Sequence, residues 1–330
     1  MLNGRKRLIA GLAAAAVVGV AGIIPAGTSA QAKPSVKDVQ QRVDTLYHQA
    51  EQASERYNNA RLRLKQLRSE LKDLTADQNR QTKALSGVRN QLRDSLLEQF
   101  EGSGISSVGQ AAFSSDPKQF LAGMTTVSAA NSVQGDLLQR YDAQVSQLDI
   151  RRKATQKRAD QVAQTEQELK KDKAEVQSKL SDAKELLSNL QEKERREVLS
   201  RDDPRTPTAT AAPVSGGAAA AVKFAMAQVG DAYVYGAAGP NAWDCSGLTM
   251  MAWAQAGVAL PHSSSAQYSS GPHVAESDLR PGDLVFYYSP ISHVGMYIGN
   301  GLIVNAENPS VGVKVTGLHS MPYVGAVRPG

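Results

Sequence analysis

The chain has 330 residues, of which 41% are hydrophobic, with 27 glycines and 14 prolines; this excludes wholesale disorder and a fibrous repeat. Thirty-seven basic and 32 acidic side chains leave a net charge of +5, and the basic groups are interleaved with acids, so a nucleic-acid partner is not expected. One cysteine excludes an intrachain disulfide and a multi-cysteine metal site, and neither metal nor cofactor is expected.

Residues 1–32 have the three-part plan of a secretory signal. Arg5-Lys6-Arg7 precede an uncharged, mostly apolar run from Leu8 to Ile24; Pro25 and Gly27 break it, and Ala30-Gln31-Ala32 offers a small-x-small cleavage pattern. The run is short and weak for a membrane span. The expected location is therefore secreted, in an oxidising compartment where a lone thiol is a liability unless its reactivity is used.

Residues 33–200 read as helical. From Val36 to Leu96, apolar residues recur in alternating steps of three and four, through Val39, Val43, Leu46, Ala50, Ala53, Leu64, Leu67 and Leu85, with a polar interruption at Gln78 and Gln81. A period of 3.5 sustained this long predicts a coiled coil. A second, weaker pattern runs from Leu138 to Leu190, with Arg152, Glu166 and Lys173 in its seam. The two predict an all-α antiparallel hairpin with its tip at about 101–130. Phe113, Phe120 and Met124 in the tip either pack a local cap or form a docking surface for another protein. Residues 201–217, rich in Pro, Thr, Ala and Gly, read as a linker.

Residues 218–330 carry 11 of the 17 aromatic residues and enough chain for one small domain. A helix is expected over Ala218–Val229, and a second one from Asp244-Cys245-Ser246-Gly247 to Gly257. That puts Cys245 at a helix N-terminus, which favours thiolate, with Asp244 able to cap the helix. A thiolate nucleophile needs a base and a group to orient it. His293 opens a predicted strand, His293–Ile298, which returns as Leu302–Ala306. A three-residue loop, Gly299-Asn300-Gly301, pairs Met296 with Val304 and puts the apolar residues on one face. The other face then brings Asn305 diagonally toward His293.

These residues resemble the NlpC/p60 family of cell-wall cysteine peptidases. The likeness covers 218–330 and rests on Tyr233-Val234-Tyr235-Gly236, Asp244-Cys245-Ser246-Gly247-Leu248, Leu260-Pro261, Gln267, Arg280-Pro281-Gly282-Asp283 and His293-Val294-Gly295. The resemblance implies an α+β, papain-like domain after the coiled-coil hairpin. It implies Cys245 as nucleophile, His293 as base and Asn305 as the third polar group, where His is commoner. It further implies Tyr233 near the oxyanion and Asp244 and Ser246 against the substrate. The implied substrate is the peptidoglycan stem peptide, cut between D-glutamate and a diamino acid. An amidase or acyltransferase of the same fold, or a non-catalytic wall scaffold, are the alternatives. The layout also resembles hydrolases docked on an FtsEX-type membrane partner through the coiled-coil tip. A rod that covers the Cys245 cleft is a further expectation.

Overall fold

The computed structural model describes residues 35–99, 116–121, 132–190, 192, 194–196, 212 and 216–330. The signal expected at 1–32, most of the linker, and Phe113 and Met124 lie outside them. No helix among the described residues is long and apolar enough to cross a membrane.

Helix α1 spans Val36–Gln99, 64 residues, and α2 spans Ser132–Ser188, 57 residues. They pack antiparallel. Arg56 meets Asp172 at 3.1 Å and Glu175 at 2.7 Å, Arg68 meets Glu166 at 2.7 Å, and Arg158 meets Glu70 at 2.7 Å. Arg151 and Asp77 also pair. Ala50, Ala53, Ala60, Leu64 and Leu67 are buried along α1, and the buried apolar residues gather into two clusters. Val39, Val43, Tyr47 and Ala183 form one cluster; Leu85, Leu92, Phe120, Leu138, Tyr141, Val145 and Leu148 form the other. Between Leu67 and Leu85 no residue of α1 is buried: the polar interruption at Gln78 and Gln81 falls there, and Leu71 and Leu74, expected in the seam, are only half-buried. Ion pairs bridge that stretch, and exposed pairs contribute at most about 1 kcal/mol each.

Phe120 is fully buried, its ring edge-on to Tyr141 at 5.1 Å. It packs the hairpin and is not a free docking surface, which corrects the exposed reading of this residue. A phenylalanine between two helices buries more apolar area there than it would gain by waiting for a partner.

The C-terminal part is α+β. Helix α3 (Gly217–Ala227) precedes two short parallel strands, β1 (Ala232–Tyr233) and β2 (Ala242–Trp243). Helix α4 (Cys245–Ala254) and a single turn, α5 (Ser264–Gln267), follow. Six strands then complete the fold: β3 (His273–Val274), β4 (Leu284–Tyr287), β5 (His293–Gly299), β6 (Leu302–Asn308), β7 (Gly312–Gly317) and β8 (Tyr323–Val327). They form one sheet in the order β3-β8-β4-β5-β6-β7, with every neighbouring pair antiparallel. One face, carrying Val294, Met296, Ile298, Val304 and Ala306, packs on α3 and α4 through Ala221, Leu248 and Trp253. The other carries Val285, Tyr287 and Ile303.

The β5–β6 register agrees with expectation at Met296 opposite Val304, but the turn differs. Gly299 pairs with Leu302 and the register shifts at Ile298. Asn300 and Gly301 both have positive φ, 57° and 71°. A two-residue turn of that hand matches the strand twist, and the irregularity at Ile298 absorbs the residue that a three-residue loop would have used.

Candidate functional site

Cys245 is the first residue of α4. Asp244, extended at φ −98° and ψ 174°, caps the helix by accepting from the Gly247 N–H at 2.6 Å. A side chain at Gly247 is excluded, because its Cβ would stand 2.2 Å from the Ala237 carbonyl oxygen. The Asp-Cys-Ser-Gly run thus fixes Cys245 at the start of the helix. Asp244 also accepts from the Gly236 N–H at 2.9 Å and from His262 Nε2 at 2.9 Å. Gln267 ties the same corner together, donating to the carbonyl oxygens of Ser246 and Pro261, each at 2.9 Å.

His293 opens β5 opposite Tyr287, and Asn305 lies on β6. The His293 Nε2–H donates to Asn305 Oδ1 at 3.0 Å, and Asn305 Nδ2 donates to Thr316 Oγ1 at 3.0 Å. Asn305 thereby holds the ring through Nε2. Gly295 makes the approach feasible: a Cβ there would meet Ile303 at 2.8 Å and Asn305 at 3.2 Å. Cys245 Sγ and a ring nitrogen of His293 lie within 4.8 Å of one another. The structure therefore brings together Cys245, His293 and Asn305 as expected. Tyr233 is buried beside Tyr235, with ring centroids 4.9 Å apart. Burial, and then the neighbouring Cys245, push its hydroxyl well above the usual range, so it remains a hydrogen-bond donor. Asp244 and Ser246 are buried, and Ser246 Oγ donates to Asp244 at 3.3 Å.

The groove is filled by α1. The His293 Nδ1–H donates to Glu51 Oε1 at 2.5 Å. The Tyr235 hydroxyl donates to the Tyr47 carbonyl at 2.9 Å, and the His48 ring lies 4.1 Å from that of Tyr288. Glu55 accepts from the Ser264 N–H at 3.0 Å, the Ser265 N–H at 3.3 Å and the Ser263 hydroxyl at 3.1 Å. Asn58 Nδ2 donates to Asp244 at 3.4 Å, and Asn59 accepts from the Ser263 hydroxyl at 2.6 Å. Over Tyr47–Asn59, about 18 Å of helix, the rod lies along the site.

The electrostatics follow. Burial raises the Glu51 carboxyl, but His293 outweighs it and holds it below the usual range. Burial lowers the His293 ring, and Glu51 reverses that, so it is raised. With Glu51 and Asn305 both accepting, both ring nitrogens carry protons and His293 is an imidazolium. Burial, then the charges of Glu51, Asp244 and Glu55, push the Cys245 thiol well above its ordinary value. Burial and the nearby carboxylates thus oppose the thiolate that the helix N-terminus favours, and Glu51 takes the place beside the imidazole. The dyad is assembled but neutral at sulfur and without a free base.

Glu51, Glu55 and Asn58 were not singled out by the seam pattern, which followed apolar residues. The available signal was a second stripe at three- and four-residue steps, His48, Glu51, Glu55 and Asn58, beside the small Ala50 and Ala53. His262, which reads as a loop residue, proved to be a partner of Asp244.

Residues 230–326 match the sequence profile of the NlpC/P60 family. A probable endopeptidase of Corynebacterium glutamicum is 45% identical over 122 residues, 37% of this chain and 58% of that protein. A probable endopeptidase of Mycobacterium tuberculosis is 50% identical over 101 residues, 31% of this chain and 26% of that protein. The chain thus spans about half the length, or less, of these curated relatives. Among solved structures, the NlpC/p60 domain of the peptidoglycan hydrolase SagA aligns at 33% identity over 33% of this chain and 97% of that one, with a TM-score of 0.32. Through residues 230–326 this chain belongs to the NlpC/P60 family.

Proposed function

We propose that the protein is an exported cysteine peptidase that hydrolyses amide bonds in peptidoglycan stem peptides, at the D-glutamate to diamino acid bond, and that it is made in a latent form. The observation that carries this is Cys245 at the start of α4 beside a His293 held by Asn305. Relatives named probable endopeptidase and a neighbour named peptidoglycan hydrolase support the substrate class.

Once α1 leaves the groove, Glu51 no longer holds the imidazolium and the sulfur gains the helix N-terminus as its dominant field. The ring gives the proton that Glu51 held on Nδ1 to solvent; Cys245 then passes its own proton to that nitrogen of His293 and attacks the carbonyl carbon. The negative charge that forms on oxygen is met by backbone N–H groups at the start of α4 and by the Tyr233 hydroxyl. His293 returns the proton to the leaving amine, and water, deprotonated by the same ring, releases the acyl group. Asp244 and Ser246, with Asn58 gone, are the groups assigned to the substrate. Opening is assigned to an FtsEX-type membrane partner acting on the hairpin, and the role to wall remodelling or daughter-cell separation.

The test is digestion of purified cell wall, with released muropeptides read by mass spectrometry. The Glu51→Ala chain is expected to release peptides cut after D-glutamate, and Cys245→Ala in the same background none. Release by the cysteine-free chain overturns the assignment. Products cut at the sugar–peptide bond instead identify an amidase.

A further inference from the structure

The closed groove brings Glu51, which hydrolysis does not use, against the two residues assigned to the reaction. A carboxylate oxygen of Glu51, the sulfur of Cys245 and a ring nitrogen of His293 lie within 4.8 Å of one another, all on buried residues. The three come from a rod, a helix start and a strand, so no sequence spacing announces them.

His293 is supported as a metal-ligating imidazole is. Its far nitrogen is tied to Asn305 Oδ1 at 3.0 Å, Asn305 is tied to Thr316 at 3.0 Å, and Nδ1 faces the cluster. His48 lies beside Glu51. Nδ1 of His48 is a buried atom with no hydrogen bond, 3.6 Å from Glu51 Oε2.

We infer that the closed chain binds one zinc ion between Cys245, His293 and Glu51, and that the ion locks the hairpin over the groove. Tetrahedral zinc, with bonds of about 2.0–2.3 Å, sets its donors roughly 3.3–3.6 Å apart. The separations here run from 2.5 Å between Glu51 and His293 to at most 4.8 Å, so the ion takes the place of the Glu51–His293 hydrogen bond and parts that pair by about 1 Å. Sulfur and imidazole select zinc over calcium or magnesium, which take hard oxygen ligands. The fourth position falls to water or to His48. Binding expels the thiol proton and the proton shared by Glu51 and His293, and the ion's double charge answers a thiolate and a carboxylate. The inference rests on the closed placement of α1, and stands whether or not the stem peptide is the substrate.

The experiment is a metal titration of the full chain, stripped beforehand with a chelator. Cobalt(II) is added first, then zinc. One equivalent of cobalt is expected to give thiolate-to-metal absorption with a tetrahedral ligand-field band, and zinc to displace it. Cys245→Ser should remove the thiolate band. Glu51→Ala should weaken zinc binding by at least about a hundredfold, and Asn305→Ala by roughly 10- to 100-fold. Far-ultraviolet circular dichroism at wild-type level shows that each variant is folded. The inference is overturned if the folded wild-type chain gives no thiolate–cobalt band. It is equally overturned if folded Glu51→Ala binds zinc as tightly as wild type. Neither readout involves turnover, so failure here is distinct from failure of the digestion above.

Discussion

Glu51 and His293, 242 residues apart, share a hydrogen bond of 2.5 Å in the buried floor of the groove. The carboxylate holds the ring proposed as the base for Cys245. A hydrogen bond between charged groups contributes about 1.5–3 kcal/mol. Glu51→Ala should therefore shift the chain toward the open form by roughly 10- to 150-fold. The measurement is the rate of alkylation of Cys245, the sole thiol, by iodoacetamide in the full chain. An unchanged rate would mean that α1 does not gate the sulfur.

Asn305 fixes the other ring nitrogen. Asn305→Ala leaves the imidazole free to rotate and exposes it to the wrong tautomer. Kinetics on muropeptides should show kcat reduced by about 10²-fold, the lower end of what a positioned base contributes, with KM little changed. Asn305→His, which also presents a ring nitrogen to Nε2, should recover most of the loss. Equal losses in the two variants would assign Asn305 to packing.

His262 pairs with Asp244 at 2.9 Å, and although burial lowers its ring, Asp244 raises it more, so it titrates above the ordinary histidine value. A group raised on folding stabilises fully below its unfolded value and loses that contribution as pH rises through the folded one. The melting-temperature gap between wild type and His262→Gln should thus be widest on the acid side and shrink as pH is taken above neutrality. A gap that grows with pH contradicts the pairing.

Phe120 fills the tip-side cluster with Tyr141, Leu92 and Leu138. Phe120→Ala should cost about 3–5 kcal/mol of local stability. Hydrogen exchange over 85–92 and 138–148 should speed up. Protection over 47–59, held by the groove, should not change. Uniform loss of protection would mean that the hairpin opens as one unit.

Much of the site was legible because its chemistry is local. Asp244 caps the helix that Cys245 begins, and both roles follow from four consecutive residues. Asn305 reached His293 because strand alternation puts them on one face once Met296 faces Val304, although the turn that achieves it has two residues and an irregularity at Ile298 rather than three residues. The hairpin's helices were legible from their 3.5-residue period. The burial of Phe120 was not, because an apolar residue in a turn-rich tip reads the same whether a neighbouring helix covers it or a partner does.

The sequence by itself determined a hairpin of long helices, an α+β domain and a cysteine placed to meet a histidine, since each depends on neighbours in the chain or on a repeating face. Only the tertiary structure decided the ionisation of that pair. Glu51 reads as one more polar residue on a solvated rod. Its effect on Cys245 and His293 comes from burial in a shared, poorly screened space, and no pattern along the chain encodes which helix face the groove will receive.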